Sequence, residues 1–158
     1  MKLVVISSPS AVPNEANILI NLFKEGVDYI HIRKPKTKTI TVRELLTSIP
    51  IAYHCQIKLH YYDKLLIDFP LIGFHHSSKS KFNSNLQIKQ SKSFHAFEEI
   101  TTNNYPYEYF FLSPVFPSIS KTNYNPTYSI AEFEEFIKTH QQQNCIALGG
   151  INQQNIIQ

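Results

Sequence analysis

The stretch FFLSPVFPSISK at residues 110–121, with IALGGIN at residues 146–152 behind it, decides the fold class of this chain. The first piece is an apolar strand that leads into a loop with two hydroxyls and a lysine, Ser118, Ser120 and Lys121. The second is a short strand that leads into two glycines, Gly149 and Gly150. Each piece puts groups suited to binding phosphate directly after the carboxyl end of a strand. In a barrel of alternating strands and helices, that is the face where chemistry takes place.

The same alternation of strand and helix extends over the rest of the chain. Apolar runs predict six strands, at residues 3–6, 29–33, 56–60, 71–75, 108–113 and 144–148, and residues 86–94 are predicted to contain a weaker seventh. Helices are predicted between and after them, at residues 14–24, 39–49, 65–67, 95–101, 130–139 and from 152 onward. Thr39 or Thr41 is the expected cap of the second helix. Seven βα repeats of this kind imply a parallel sheet with helices outside it.

Two architectures accommodate seven parallel strands. An open doubly wound sheet usually carries a glycine-rich phosphate fingerprint in its first strand-to-helix turn, and no such turn follows residues 3–6. A TIM barrel has eight strands and usually about 200 residues or more, whereas this chain has 158. We therefore expect an α/β chain with one domain over residues 1–158, a TIM-type βα-barrel that lacks its eighth βα unit. Its two open edge strands would favour association, so a homo-oligomer is expected as a partner state.

Composition excludes several classes of protein. The net charge is only +3 and no dense block of lysine and arginine occurs, so we expect no nucleic-acid partner. No apolar run approaches the roughly 18 residues of a membrane span, and the opening apolar run is too short for a signal peptide. We expect a cytoplasmic protein without a membrane partner. The two cysteines, Cys55 and Cys145, have no spacing typical of a zinc motif or a disulfide framework.

Polar side chains follow nearly every predicted strand. His31 and Arg33 are two residues apart on one strand, so both are predicted to point to the same face. If that face is the barrel interior, the Arg33 charge needs an anionic partner, and a phosphate ligand supplies one. The alternative is a strand face on the protein surface.

Histidines recur among these strand-end residues, and His31, His60 and His75 are candidate pocket residues. His60, His75 and His76 follow adjacent strands and raise the question of a zinc site. His75 and His76 are neighbours in the chain and therefore point to opposite faces of a strand, and no acid is evident as a further ligand. The sequence alone thus predicts no metal site.

Five segments carry a resemblance to a known family: SPVFPSISK, ALGGIN, HIRKP, GFHH and SFHAFEE. In order and spacing they resemble the thiamine phosphate synthase and thiazole tautomerase (TenI-like) superfamily, over the whole chain. The resemblance implies a TIM barrel and an enzyme of thiamin biosynthesis, a transferase or an isomerase. Its expected partner is a small phosphorylated thiazole or pyrimidine.

The synthase branch of this family joins hydroxymethylpyrimidine diphosphate to a thiazole phosphate and releases pyrophosphate with the help of magnesium. The family's two magnesium aspartates fall at Tyr61, after His60, and in the segment Ser77–Ser80, so both carboxylates are replaced here. Magnesium prefers oxygen ligands that include one or two carboxylates. In the family's Gln-x-Arg-x-Lys pattern the arginine is Arg33, whereas His31 and Pro35 replace the glutamine and the lysine. Lys34 or Lys36 is a possible substitute for that lysine.

The tautomerase branch moves a proton to aromatise a thiazole carboxylate phosphate and needs no magnesium. The resemblance places its general acid/base at His95, and an anion-holding loop at Ser118, Ser120 and Lys121. Gly149 and Gly150, with the helix expected from residue 152, correspond to half of a phosphate site whose other half follows strand eight. We therefore favour tautomerase-type proton transfer without a cofactor. The alternatives are the synthase reaction with Mg²⁺, and a non-catalytic or truncated relative.

Overall fold

The computed structural model describes residues 2–117, 125–140 and 144–155. Over those residues the chain forms seven strands, four α-helices and two 3-10 helices, in the alternating order that the sequence predicts. The chain divides into two compact units. The first unit contains Met1–His75 and Asn83–Gln90, and the second contains His76–Phe82 and Ser91–Gln158. None of the described helices has the length and apolar character needed to cross a lipid bilayer.

The first unit is built on strands β1 to β4, which pair in parallel and in chain order. They are β1 (Val4–Ile6), β2 (Tyr29–Ile32), β3 (Ile57–Leu59) and β4 (Gly73–His76). Between them lie helices α1 (Glu15–Lys24) and α2 (Thr39–Thr47), and the 3-10 helices Ile51–Gln56 and Asp63–Ile67. The sequence predicts the second 3-10 segment as a short helix and leaves the first unassigned.

Because side chains alternate along a strand, those of these strands point to two opposite faces. Ile30 of β2 pairs with Ile57 of β3, and both are fully buried against the helices in a core that includes Leu19, Val42 and Leu46. His31 and Lys58 are the next pair in the same register, so they lie on the other face of the strands. Both are also fully buried. The interior face of this unit is therefore polar.

Two predictions in the first unit are wrong. The second strand ends at Ile32, so Arg33 lies beyond the strand and is exposed rather than inside with His31. Neither Thr39 nor Thr41 caps α2, because the capping position is Lys38 and its side chain makes no cap hydrogen bond. Both errors place a boundary one to three residues from its true position, where the sequence pattern carries little information.

The second unit contains strands β5 (Gln90–Phe94), β6 (Tyr109–Leu112) and β7 (Cys145–Ala147), again parallel and in chain order. Its helices are α3 (Phe97–Thr101) and α4 (Ile130–Thr139). A largely aromatic core holds strands and helices together, with buried Phe94, Ile100, Phe110, Leu112 and Phe136. The fifth strand, predicted to lie within residues 86–94, begins at Gln90, and Leu86 and Ile88 before it pack on the core of the first unit.

The end of the described chain differs from the helix predicted from residue 152. Residues 153–155 form a turn, in which Asn155 Oδ1 accepts from the Asn152 backbone N–H at 2.8 Å. Residues 156–158 lie outside the described part. The loop predicted to hold an anion through Ser118, Ser120 and Lys121 also lies outside the described residues.

Candidate functional site

Three histidines from neighbouring strands of the first unit come together, and we call them the histidine cluster: His31, His60 and His75. His31 Nδ1 and His60 Nε2 are 2.9 Å apart, a hydrogen-bonding distance. The His75 ring centroid lies 4.8 Å from that of His31 and 4.4 Å from that of His60. The parallel register explains the cluster, because β2, β3 and β4 end at the same edge and each contributes one side chain there.

The environment of the cluster keeps the imidazoles of His31 and His60 uncharged. Burial lowers the pKa of His31 well below the usual value, and the neighbouring His60 and Lys58 add to this effect. Burial, followed by the positive charge of Arg33, lowers the pKa of His60 to about 3. Neutral imidazoles can each offer one nitrogen lone pair. At neutral pH the cluster is therefore a set of donor atoms suited to hydrogen bonds or to a metal.

Lys58 is a member of this interior that the sequence analysis missed. It is fully buried, and its Nζ lies 5.5 Å from the centroid of the Tyr29 ring. A Cβ at Gly73 would collide with the Lys58 side chain and with the Lys89 carbonyl, so glycine at this position makes room for the lysine. The signal was present in the sequence, since Lys58 lies two residues before His60 on one strand face.

Lys34, a predicted phosphate ligand, is buried and already bonded within the protein. Its Nζ donates to Glu15 Oε1 at 2.8 Å, to the Ser8 carbonyl at 3.0 Å and to the Ser10 carbonyl at 2.8 Å. These three oxygens use all three ammonium donors. The Tyr62 hydroxyl in turn contacts the Lys34 carbonyl and donates to the Thr37 carbonyl at 2.6 Å. Lys34 thus fastens the loop after β1 to helix α1.

Arg33, in contrast, keeps its side chain exposed at the end of β2. Its backbone N–H donates to Ser7 Oγ at 3.0 Å, which ties the ends of β1 and β2 together. Its charge is close enough to affect His60. The side chain is therefore positioned beside the histidine cluster and accessible to a ligand.

His95, the predicted acid/base, lies between β5 and α3 in the second unit and is partly buried. Its Nδ1 is 2.7 Å from the Ser113 carbonyl oxygen. A carbonyl can only accept, so Nδ1 carries the proton and the neutral ring keeps its lone pair on Nε2. The His95 backbone N–H donates to Glu99 Oε2 at 2.6 Å, which fixes the residue at the start of the helix.

The two glycines after β7 have φ values of 97° and 67°, in the left-handed region that favours glycine. A Cβ at Gly149 would lie 2.9 Å from Pro114, and one at Gly150 would lie 2.5 Å from the Pro117 carbonyl. The backbone N–H groups of Val115 and Phe116 donate to the carbonyls of Leu148 and Gly149, each at 3.0 Å. The close approach in this structure is between two loops of the same unit.

Parallel strands that alternate with helices, with polar side chains after their carboxyl ends, define an α/β protein of the TIM-barrel type. The solved structure of thiamine phosphate pyrophosphorylase from Bacteroides thetaiotaomicron is similar to this chain, with a TM-score of 0.81 and 34% sequence identity. The similarity covers 98% of this chain and 75% of that one. No model of a protein family matches the chain, and no curated protein sequence matches it significantly.

The chain therefore belongs to the thiamine phosphate synthase/TenI-like superfamily. This confirms the family and the fold class that the sequence motifs indicate.

Proposed function

We propose that this chain binds a thiazole phosphate and transfers a proton on its ring, the tautomerase-type reaction of the superfamily. The observation that supports this proposal most directly is the hydrogen bond from His95 Nδ1 to the Ser113 carbonyl. It orients the ring, and the proposal assigns to Nε2 the acceptance of a proton from one ring position and its return to another. Histidine suits both halves of this exchange because it gains and loses a proton near neutral pH.

In this proposal, the residues assigned to anion binding are Ser118, Ser120 and Lys121 in the second unit and, separately, Arg33 in the first unit. An arginine at an accessible strand end can form a bidentate pair with phosphate or carboxylate. Gly149 and Gly150 support the loops around the ligand. We assign Lys34 a structural role instead, because its ammonium is bonded to three oxygens of the protein.

The residues at the family's magnesium positions do not fit that ion. Tyr61 is half exposed, follows His60 directly and offers a phenol. The segment Ser77–Ser80 offers hydroxyls, and its two terminal serines bond to each other at 2.7 Å. The donors beside Tyr61 are buried imidazoles, which are poor ligands for a hard cation. We therefore derive no step through magnesium.

The test is aromatisation of a thiazole carboxylate phosphate, followed by absorbance with and without added Mg²⁺. We expect turnover that does not depend on Mg²⁺ and that His95→Ala reduces by about 100-fold or more, the usual contribution of a general acid/base. His140→Gln, which removes another histidine of the second unit, is the matched control and should keep full activity. Turnover that survives His95→Ala would contradict the role of His95.

The synthase reaction is the second candidate, and the similarity to a thiamine phosphate pyrophosphorylase supports it. It is tested by supplying hydroxymethylpyrimidine diphosphate and thiazole phosphate and measuring the release of pyrophosphate. Magnesium-dependent release would favour the synthase over the tautomerase. If neither substrate pair reacts and thiazole phosphate does not bind, the chain is a non-catalytic relative.

A further inference from the structure

We propose that the histidine cluster is a binding site for a divalent transition-metal ion of the zinc class, with His31, His60 and His75 as its three protein ligands. Each of these side chains offers one imidazole nitrogen, and the three ligand atoms all lie within 4.8 Å of one another. The inference concerns the first unit and does not depend on which reaction the chain catalyses.

The backbone delivers the three ligands from separate strands, which gives the site a rigid frame. His31 lies in β2, His60 follows β3 and His75 lies in β4. The His60 backbone N–H donates to the Ile32 carbonyl at 3.0 Å, so the parallel ladder continues through the residue after β3. His31 and His75 are almost fully buried and His60 is partly buried, so the donors lie in a largely water-excluded interior. His76, the neighbour of His75, takes no part, since it already belongs to the second unit and contacts the rings of Phe82 and Tyr107 there.

The separations suit a shared ion after small ring movements. A tetrahedral zinc ion with bonds of about 2.0–2.1 Å spaces its ligand atoms at roughly 3.3 Å. His31 Nδ1 and His60 Nε2, at 2.9 Å, need only a slight opening, in which the ion replaces the proton that they share. The third nitrogen must approach by side-chain rotation of His75, whose ring already lies within 4.8 Å of both partner rings.

The type of donor selects the type of ion. Imidazole nitrogen suits zinc, copper and nickel, whereas magnesium and calcium require oxygen ligands. Three histidines leave the fourth position of a tetrahedral ion open to water or to a ligand. Lys58 is fully buried and is the register partner of His31 across β2 and β3, so a positive charge lies beside the cluster. The fourth position is therefore best filled by an anion, such as hydroxide or inorganic phosphate.

The direct test is titration of the metal-free protein with Zn²⁺ by calorimetry and with Co²⁺ by visible absorption. We expect one Zn²⁺ per chain, bound at micromolar concentration or tighter, and the intense visible bands of four-coordinate Co²⁺. The melting temperature should rise with Zn²⁺, since an ion that binds only the folded state stabilises it. Mg²⁺ should produce neither heat nor a shift in melting temperature.

Variants distinguish the cluster from adventitious binding. His60→Gln and His75→Gln should each weaken Zn²⁺ binding by at least about tenfold and abolish the cobalt spectrum, because each removes a ligand. His140→Gln should leave Zn²⁺ affinity unchanged. Circular dichroism of each metal-free variant establishes that it folds, and the titration of the unaltered protein decides the question if a variant does not. Absence of Zn²⁺ and Co²⁺ binding by the unaltered protein, or equal loss in His140→Gln, would overturn the proposal in favour of a histidine hydrogen-bond network.

Discussion

Buried polar groups in this protein differ in whether they have hydrogen-bond partners. Two of them, the Lys34 ammonium and the Tyr107 hydroxyl, allow quantitative tests. The Lys34 ammonium has three oxygen partners. The Tyr107 hydroxyl, by contrast, is buried and meets no hydrogen-bond partner among the described residues. Burial, with Tyr105 adding to it, raises the pKa of Tyr107 to about 12. An unsatisfied buried hydroxyl destabilises the fold, whereas a satisfied ammonium becomes costly only when its partner is removed.

Replacement of Tyr107 by phenylalanine should therefore stabilise the protein. We expect Tyr107→Phe to raise the free energy of unfolding by about 1 kcal/mol, since the ring contacts remain and only the unpaired hydroxyl is lost. The unfolded tyrosine ionises near pH 10 and the folded one near 12, so the penalty of this hydroxyl is constant below pH 10 and grows progressively as the pH rises above it. Urea unfolding at pH 7 and at alkaline pH measures both effects. Tyr105→Phe is the control, and an equal gain there would contradict the argument.

Removal of the cation from the buried Lys34–Glu15 ion pair is expected to lower stability, in contrast to Tyr107→Phe. Lys34 and Glu15 are 1% and 9% exposed, and their charged atoms are 2.8 Å apart. Lys34→Met should lower the free energy of unfolding by about 3 kcal/mol, because it leaves the Glu15 carboxylate buried without its cation. The matched control is Arg43→Met, which breaks an exposed ion pair with Asp68 and should cost less than about 1 kcal/mol. Similar losses in both variants would show that the burial of the pair has no consequence.

Hydrogen bonds between neighbouring residues determine where a helix begins, and helix α4 is the clearest case. Ser129 Oγ accepts from the Glu132 backbone N–H at 3.2 Å, and Glu132 Oε2 accepts from the Ser129 N–H at 2.7 Å. These two reciprocal hydrogen bonds form a capping box, which residues 129–132 encode locally. The sequence prediction of α4 is correct at both ends. Helix α2 lacks such a pair, and its predicted cap is wrong.

The contrast between the two helices predicts a contrast between two alanine variants. Ser129→Ala should destabilise the protein by about 1 kcal/mol, through the loss of the cap on α4. Thr39→Ala should change stability little, because Thr39 is the first residue of α2 and does not cap it. Thermal or chemical unfolding of the two variants side by side measures the difference. A larger loss in Thr39→Ala than in Ser129→Ala would contradict the assignment of the caps.

Local patterns predicted the order and type of most elements, but the site depends on contacts between distant segments. The period of two was enough to separate His75 from His76. It could not show that His31, about thirty residues before His60, supplies the third imidazole, because that depends on the pairing of β2 with β3. The left-handed backbone of Tyr61 and Tyr62, directly after His60, also has no signal in the sequence, since tyrosine rarely adopts it.

At the scale of the whole molecule, the fold is shared with a relative at 34% identity, with a TM-score of 0.81. Family membership therefore gives the architecture and the class of ligand, and the particular reaction depends on a few residues.

Thiol accessibility reports on whether the whole chain is folded. Cys55 is exposed, whereas Cys145 lies within β7, where burial raises its pKa to about 12. Only the thiolate reacts readily, so we expect one fast-reacting thiol in the native protein and two after denaturation. Timed reaction with a disulfide reagent counts them, and Cys55→Ser should abolish the fast phase. Two fast thiols without denaturant would mean that β7 is not stably paired.

The hydrogen bonds from Val115 and Phe116 to the carbonyls of Leu148 and Gly149 have a consequence for the entropy of binding. They continue the pairing of β6 and β7 into the segments that follow, and the missing side chains at Gly149 and Gly150 allow the two segments to touch. Described residues 113–117 and 148–150 therefore move as one body rather than as two independent loops. A ligand that binds across them therefore orders less of the chain. The loss of conformational entropy on binding is smaller, and the binding free energy is correspondingly more favourable.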